Sequence, residues 1–200
     1  MSLYGISIGF GALSAILWSE RKSTQQNLNP KILYGAINRA IIFGLIGARA
    51  YHVIDYWWLY SRNPKLIPKI WLGGLGIWGG ILLGGLSVIL YLKRNKEPVR
   101  EWLDIMVLGL PLAQAIGRWG NYFNKELYGP TTNLPWGIWI EGKKRHPLFL
   151  YESLLDLLLF IGLNWAWSRW REKLPKGSFA IMYLLGYWII RLILHPLRLV

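Results

Sequence analysis

Cysteine is absent from the 200-residue sequence, which removes disulfides, thiolate metal sites and covalent cysteine catalysis together. Acid is scarce: ten Asp and Glu stand against 23 Lys and Arg, a formal net charge of +13. The ten are Glu20, Asp55, Glu97, Glu101, Asp104, Glu126, Glu141, Glu152, Asp156 and Glu172, and no two have the spacing of a metal-binding or phosphotransfer motif. Glu152 and Asp156 are one helical turn apart, but no histidine or third acid accompanies them at ligand spacing. Neither a metal nor a cofactor is therefore expected. The chain also lacks an internal repeat and any low-complexity tract. No charged leader precedes its first apolar run and no A-x-A-like site follows, so that run reads as a retained span and not as a cleaved signal peptide.

What the chain has in abundance is apolar surface. Hydrophobic residues make up 54% of it, with 13 Trp, and the mean hydropathy is +0.29. Lipid is the natural sink for long apolar runs, since a hydrocarbon core about 30 Å thick needs roughly 20 residues per helix. Six runs qualify: Tyr4 to Trp18, Ile32 to Tyr60, Ile70 to Leu92, Trp102 to Ile116, Leu148 to Trp167 and Phe179 to Leu197. The expectation is an all-α, polytopic integral membrane protein. It would have about six transmembrane helices, a small extracytoplasmic arm and a single transmembrane domain over residues 1–200.

Basic residues gather in alternate loops: Arg21, Lys22 and Lys31, then Lys93, Arg94, Lys96 and Arg100, then Arg169, Arg171, Lys173 and Lys176. The positive-inside rule places these loops in the cytoplasm and both termini outside. A positive excess of this kind favours anionic lipid headgroups in the bilayer. Nucleic acid is not expected as a partner, because the cations are scattered between spans and do not form one stripe.

Four arginines fall within or at the end of apolar runs: Arg39, Arg49, Arg118 and Arg191. An arginine near mid-membrane costs on the order of 3 kcal/mol on insertion scales. Snorkelling or pairing with a carboxylate accounts for one taken singly. Four among so few acids describe an interior suited to a bound phosphate, whose oxygens pair bidentately with guanidinium. The densest polar stretch, Gly117-Arg118-Trp119-Gly120-Asn121-Tyr122-Phe123-Asn124-Lys125-Glu126-Leu127-Tyr128-Gly129, follows the fourth run directly. Run three is rich in glycine from Gly73 to Gly85, a pattern that permits close helix packing or opens a groove for an acyl chain. Of the three histidines, His52, His146 and His195, the last lies one helical turn after Arg191 and is the best candidate for proton transfer.

The stretch Gly117 to Gly129 resembles the signature G-R-x-G-N-[FY]-x-N-x-E-x-x-G of the bacterial prolipoprotein diacylglyceryl transferases, and every fixed position matches. Tyr4-Gly5, Gly47-Ala48-Arg49, the glycine-rich third run, His146-Pro147 with Leu150-Tyr151-Glu152, and Arg191 with Arg198 resemble further family segments in the same order. The resemblance implies transfer of the diacylglyceryl group of phosphatidylglycerol to the thiol of a lipobox cysteine in a prolipoprotein signal peptide. A thioether and glycerol phosphate are the products, and the bacterial cytoplasmic (inner) membrane is the location. On that chemistry the catalytic roles fall to Arg118 and Arg191 as a phosphate clamp, and either His195 handles the proton or no base is needed because part of the substrate thiol is already thiolate. Substrate binding would fall to Tyr4, Arg49, Trp78, Asn121, Asn124, Glu126, Gly129, Tyr151 and Glu152.

Three departures from the family pattern stand out. Trp78 occupies the place of a histidine before the Gly-Gly of the third run, and His195 the place of a glutamate in the last. The segment usual before the first tyrosine-glycine span is missing and nothing follows Val200, as in a minimal homologue or a trimmed chain. A catalytically inactive lipid-binding scaffold and an anion transporter are the competing classes.

Overall fold

The computed structural model describes residues 2–198, so Met1, Leu199 and Val200 lie outside the described residues. Its helices are α1 (Leu3–Gln25), α2 (Pro30–Asp55), the single turn α3 (Trp57–Tyr60), α4 (Ile77–Arg94), α5 (Val99–Phe123), α6 (Leu148–Trp170) and α7 (Ser178–Leu194). Strands β1 (Ile138–Ile140) and β2 (Lys143–Arg145) form an antiparallel hairpin between α5 and α6. Five helices are long and apolar enough to cross a membrane: α1, α2, α4, α6, and α7 with its following turn. Helix α5, the fourth expected span, has 25 residues but carries Arg100, Glu101, Asp104, Gln114 and Arg118 with Pro111 inside it, and falls outside that set. The architecture is all-α and polytopic.

The chain divides into two compact units, one of residues 27–99 and one that joins the residues up to Gln26 to those from Arg100 on. In the first, α2 and α4 pack as an antiparallel pair. Asn29 caps α2 by accepting from the Lys31 amide, with Pro30 at the first helical position, a pairing favoured at helix starts. The contact is backbone to backbone: a Cβ on Gly84 would lie 3.1 Å from the Ala40 carbonyl oxygen, and one on Gly79 would strike the Gly47 carbonyl. Tight packing therefore absorbs these glycines of run three. Gly73 and Gly74 do something else, because their φ angles of +86° and +78° are left-handed values that an α-helix cannot contain. The expected helix from Ile70 accordingly begins only at Ile77, after a 3-10 turn over Ile70–Leu72.

In the second unit α1 runs antiparallel to α5, because Gly11 and Gly109 each bring the opposite backbone so close that a Cβ would lie 2.7 Å from a carbonyl oxygen, of Ala113 and Ala15 respectively. Helix α6 is also antiparallel to α5. Ser153 Oγ donates to the Ala115 carbonyl at 2.8 Å, and Asn164 Nδ2 to that of Leu108 at 3.3 Å. Asp104 of α5 accepts from the backbone amides of Gly177 at 2.6 Å and Ala180 at 2.8 Å, which caps α7 from a neighbouring helix. Trp102, Ile105, Leu108, Phe149 and Phe179 fill the interior. Ile181, Leu184, Leu185, Trp188 and Ile189 of α7 are each more than half exposed, a lipid-facing side. The unit thus has two ends, one bearing Tyr4, Arg118, Glu152 and Arg191, the other Lys22, Asp104, Trp167 and Gly177.

Candidate active site

Arg118 lies five residues before the end of α5, half-buried, and its Nε stands 2.7 Å from Glu152 Oε2 and 3.8 Å from Asp156 Oδ2 on α6. Glu152 Oε1 accepts from Arg198 Nη2, which reaches it from beyond the 3-10 turn over His195–Leu197. Both acids are 1% exposed, and buried charges persist only when paired. Two arginines and two acids from α5, α6 and the segment after α7 therefore form one cluster. Among the described residues no hydrogen bond ties the Arg118 Nη groups, so the forked edge that matches a phosphate is left for a ligand.

A cleft of about 350 Å³ adjoins this arginine between α1 and α5. Tyr4, Gln114, Arg118 and Asn121 supply its polar groups, and Ile8 and Leu110 part of its apolar wall. Helical spacing explains the set, since Gln114, Arg118 and Asn121 recur at four and three residues on one face. Gly120 explains how Tyr4 gets there: a Cβ at that position would lie 2.9 Å from Tyr4 Cδ2. The Gln114 Oε1 is buried and has no hydrogen-bond partner among the described residues.

After Phe123 the signature stretch turns back on the helix it follows. Lys125 and Leu127 adopt positive φ, +54° and +58°, and the Glu126 amide donates to the Asn121 carbonyl at 2.8 Å. The Glu126 carboxylate accepts from Asn121 Nδ2 at 3.4 Å and Asn124 Nδ2 at 3.3 Å. These three side chains therefore bind one another and brace the turn beside Arg118. Tyr128 donates to the Tyr122 carbonyl at 3.3 Å, and burial raises its phenol above the ordinary value. Gly129 is a close-approach position, its missing Cβ leaving room for His146 Cβ at 2.8 Å and the Leu197 carbonyl at 3.1 Å.

Tyr151, one residue before Glu152, accepts from the Trp136 indole Nε1 at 2.8 Å and lies 3.2 Å from His146 Nδ1. Indole is a donor only, so the phenolic oxygen accepts from Trp136, and its contact with His146 Nδ1 runs in the direction that the imidazole tautomer sets. The chain joins the arm that precedes the hairpin to the start of α6.

Arg191 lies in the last turn of α7, where Ile190 and Leu194 pack on Leu148 and Tyr151. His195 opens the following 3-10 turn and is exposed. Neither side chain has a hydrogen-bond or ion-pair partner among the described residues. Arg49 and Trp78 belong to the 27–99 unit. Arg49 donates to the carbonyls of Leu66 (2.5 Å), Ile67 (2.8 Å), Gly73 (2.7 Å) and Gly74 (2.9 Å), so four of its five N–H groups hold the loop before α4. Trp78 sits in the first turn of α4 with 56% of its surface exposed. Asp156, Arg198, Gln114 and Trp136 were not among the expected site residues. Asp156 left a trace in the sequence as the second acid of an i, i+4 pair in an apolar helix, and Arg198 as part of a family-like segment with Arg191.

The model of the prolipoprotein diacylglyceryl transferase family matches residues 1–200. A phosphatidylglycerol--prolipoprotein diacylglyceryl transferase of Finegoldia magna is 39% identical over 195 residues, 98% of this chain and 78% of that protein. Enzymes of the same name from Fervidobacterium nodosum (38% identical, 98% of this chain and 70% of that protein) and Synechococcus elongatus (36%, 98% and 72%) are similar over the same extent. With a signature stretch that folds back beside a half-buried arginine, and with matches over nearly its whole length, the chain belongs to the prolipoprotein diacylglyceryl transferase family.

Proposed function

We propose that this protein is a phosphatidylglycerol--prolipoprotein diacylglyceryl transferase that carries out the first step of lipoprotein maturation in the bacterial inner membrane. The thiol sulfur of the lipobox cysteine attacks the glyceryl carbon that bears the phosphate. A C–S bond forms, the C–O bond breaks with its electrons on the phosphate oxygen, and glycerol phosphate leaves. The thiol proton passes to a base or is already lost, since a free cysteine is a few per cent thiolate near neutral pH.

The supporting observation is Arg118, ion-paired through Nε with Glu152 and exposing its forked edge beside a cleft of lipid-headgroup size. A preorganised donor aimed at a leaving phosphate contributes on the order of 3 kcal/mol of barrier. Arg191, in the last turn of α7, supplies the second positive charge, and His195 is the candidate proton acceptor. Asn121, Asn124 and Glu126 shape the headgroup end, Tyr4 offers it a hydroxyl, and residues 1–200 act as one catalytic domain.

The test is incubation of the purified protein with phosphatidylglycerol and a lipobox peptide, with and without the peptide cysteine. Glycerol phosphate released only with the cysteine supports the assignment. Release without it, or none with either peptide, rejects it.

A further inference from the structure

The end of the bundle opposite Arg118 holds a second cavity, also about 350 Å³, where α1 and α6 terminate. Lys22, Arg169 and Arg171 line it, with Glu172 as the single acid on its rim and Trp167 as a buried wall. Glu172 pairs with Arg171 at 3.0 Å and its side chain is largely exposed, so the lining keeps an excess of positive charge. Arg21 stands next to it, and both Arg21 and Lys22 lie over the Trp18 ring, at 5.7 and 5.2 Å.

A positive-inside distribution requires cations at this level but does not require them to converge. Here Lys22 lies in the repulsive fields of both Arg21 and Arg171. Like charges drawn together around a concave surface raise the free energy of the empty site, and a bound anion offsets that cost. The Trp167 indole N–H, buried and without a hydrogen-bond partner among the described residues, marks the same wall as polar but unsatisfied. Depth identifies the class of anion. Tyr4 at the Arg118 end and Lys22 here are both on α1, about 27 Å apart along its axis at 1.5 Å per residue, close to the thickness of a bilayer core. The cavity is therefore level with the headgroups of the other leaflet, and the exposed pair Trp165 and Trp170, 5.1 Å between centroids, suits that interface.

We propose that the cavity bounded by Lys22, Arg169 and Arg171 binds the phosphodiester headgroup of an anionic phospholipid in the leaflet opposite the catalytic cleft, as a second lipid site that takes no part in the chemistry. It holds a lipid against the C-terminal ends of α1 and α6. It stands on the membrane architecture alone and does not depend on the transferase reading.

Native mass spectrometry of the full chain released from detergent, titrated with phosphatidylglycerol or with phosphatidylcholine, provides the test. Wild type is expected to retain a second phosphatidylglycerol, and the Lys22→Gln/Arg171→Gln variant to retain it about tenfold less well. Arg169→Gln, at an exposed position, should weaken it to a smaller degree and covers the case in which the double variant does not fold. Transfer to a lipobox peptide at saturating phosphatidylglycerol should be unchanged in Arg169→Gln. Equal retention by wild type and variants overturns the proposal, as does phosphatidylcholine held as firmly as phosphatidylglycerol. Displacement of the second lipid by millimolar inorganic phosphate reassigns the cavity to free phosphate and overturns the lipid assignment.

Discussion

Glu152 meets Arg118 through the guanidinium Nε, at 2.7 Å, while no hydrogen bond ties the Nη groups among the described residues. A buried carboxylate that positions an arginine in this way should be sensitive to loss of charge even with its shape retained. Glu152→Gln is expected to lower kcat/KM by about 100-fold, on the scale of removing one transition-state donor. Glu152→Ala should in addition destabilise the fold by about 3–5 kcal/mol by leaving Arg118 and Arg198 without their partner. Steady-state transfer assays and thermal unfolding in detergent separate the two effects.

Gly120 is predicted to be intolerant of even a methyl group, because a Cβ there would press on the Tyr4 ring. Overpacking of this kind costs about 1–3 kcal/mol, and here the ring that must yield lines the cleft. Gly120→Ala should therefore raise KM for phosphatidylglycerol more than it lowers the unfolding temperature. An unchanged KM would show that Tyr4 does not meet the lipid.

The Trp136–Tyr151–His146 chain fixes the arm to the start of α6. Tyr151→Phe removes the central oxygen and leaves the indole donor and the imidazole nitrogen unpaired, at about 1–3 kcal/mol. Hydrogen exchange should accelerate across residues 134–146 while α6 itself stays protected. Uniform exchange in variant and wild type would contradict a bracing role for this chain.

Arg49→Lys tests the loop that precedes α4. A lysine has three donors on a point charge and cannot reproduce a fork that holds four carbonyls. The segment 66–74 should become the first cleaved in limited proteolysis of the variant, with α2 and α4 intact.

The membrane architecture was legible in the sequence because burial in lipid imposes a length and a composition on each helix, and both can be read without neighbours. The limits of that reading are instructive at Gly73 and Gly74. They look like part of an apolar helix by composition, yet backbone angles that only glycine adopts freely put them in a loop, and the carbonyls that Arg49 collects there lie 17 to 25 residues along the chain. Arg118 was legible through the stretch around it. Its contact with Asp156, and the Arg198 that shares Glu152 with it, were not, since which acid faces which arginine is decided by how α5, α6 and the segment after α7 pack. Helix α5 shows the converse: a run expected to span by its apolar middle carries at its two ends the polar groups that the rest of the bundle satisfies.

That helix also has a consequence for how the protein is made. Asp104 and Arg118 emerge from the ribosome well before the groups that satisfy them, since Gly177 lies 73 residues downstream of Asp104 and Glu152 belongs to the next long helix. A translocating chain that released α5 into lipid on its own would expose a carboxylate and a guanidinium with no partner. The early-made α1, whose backbone fits against Gly109, can shelter α5 only on one side. Completion of α5 as a membrane element must then await α6 and α7, so that biogenesis ends with the same step that assembles the arginine cluster.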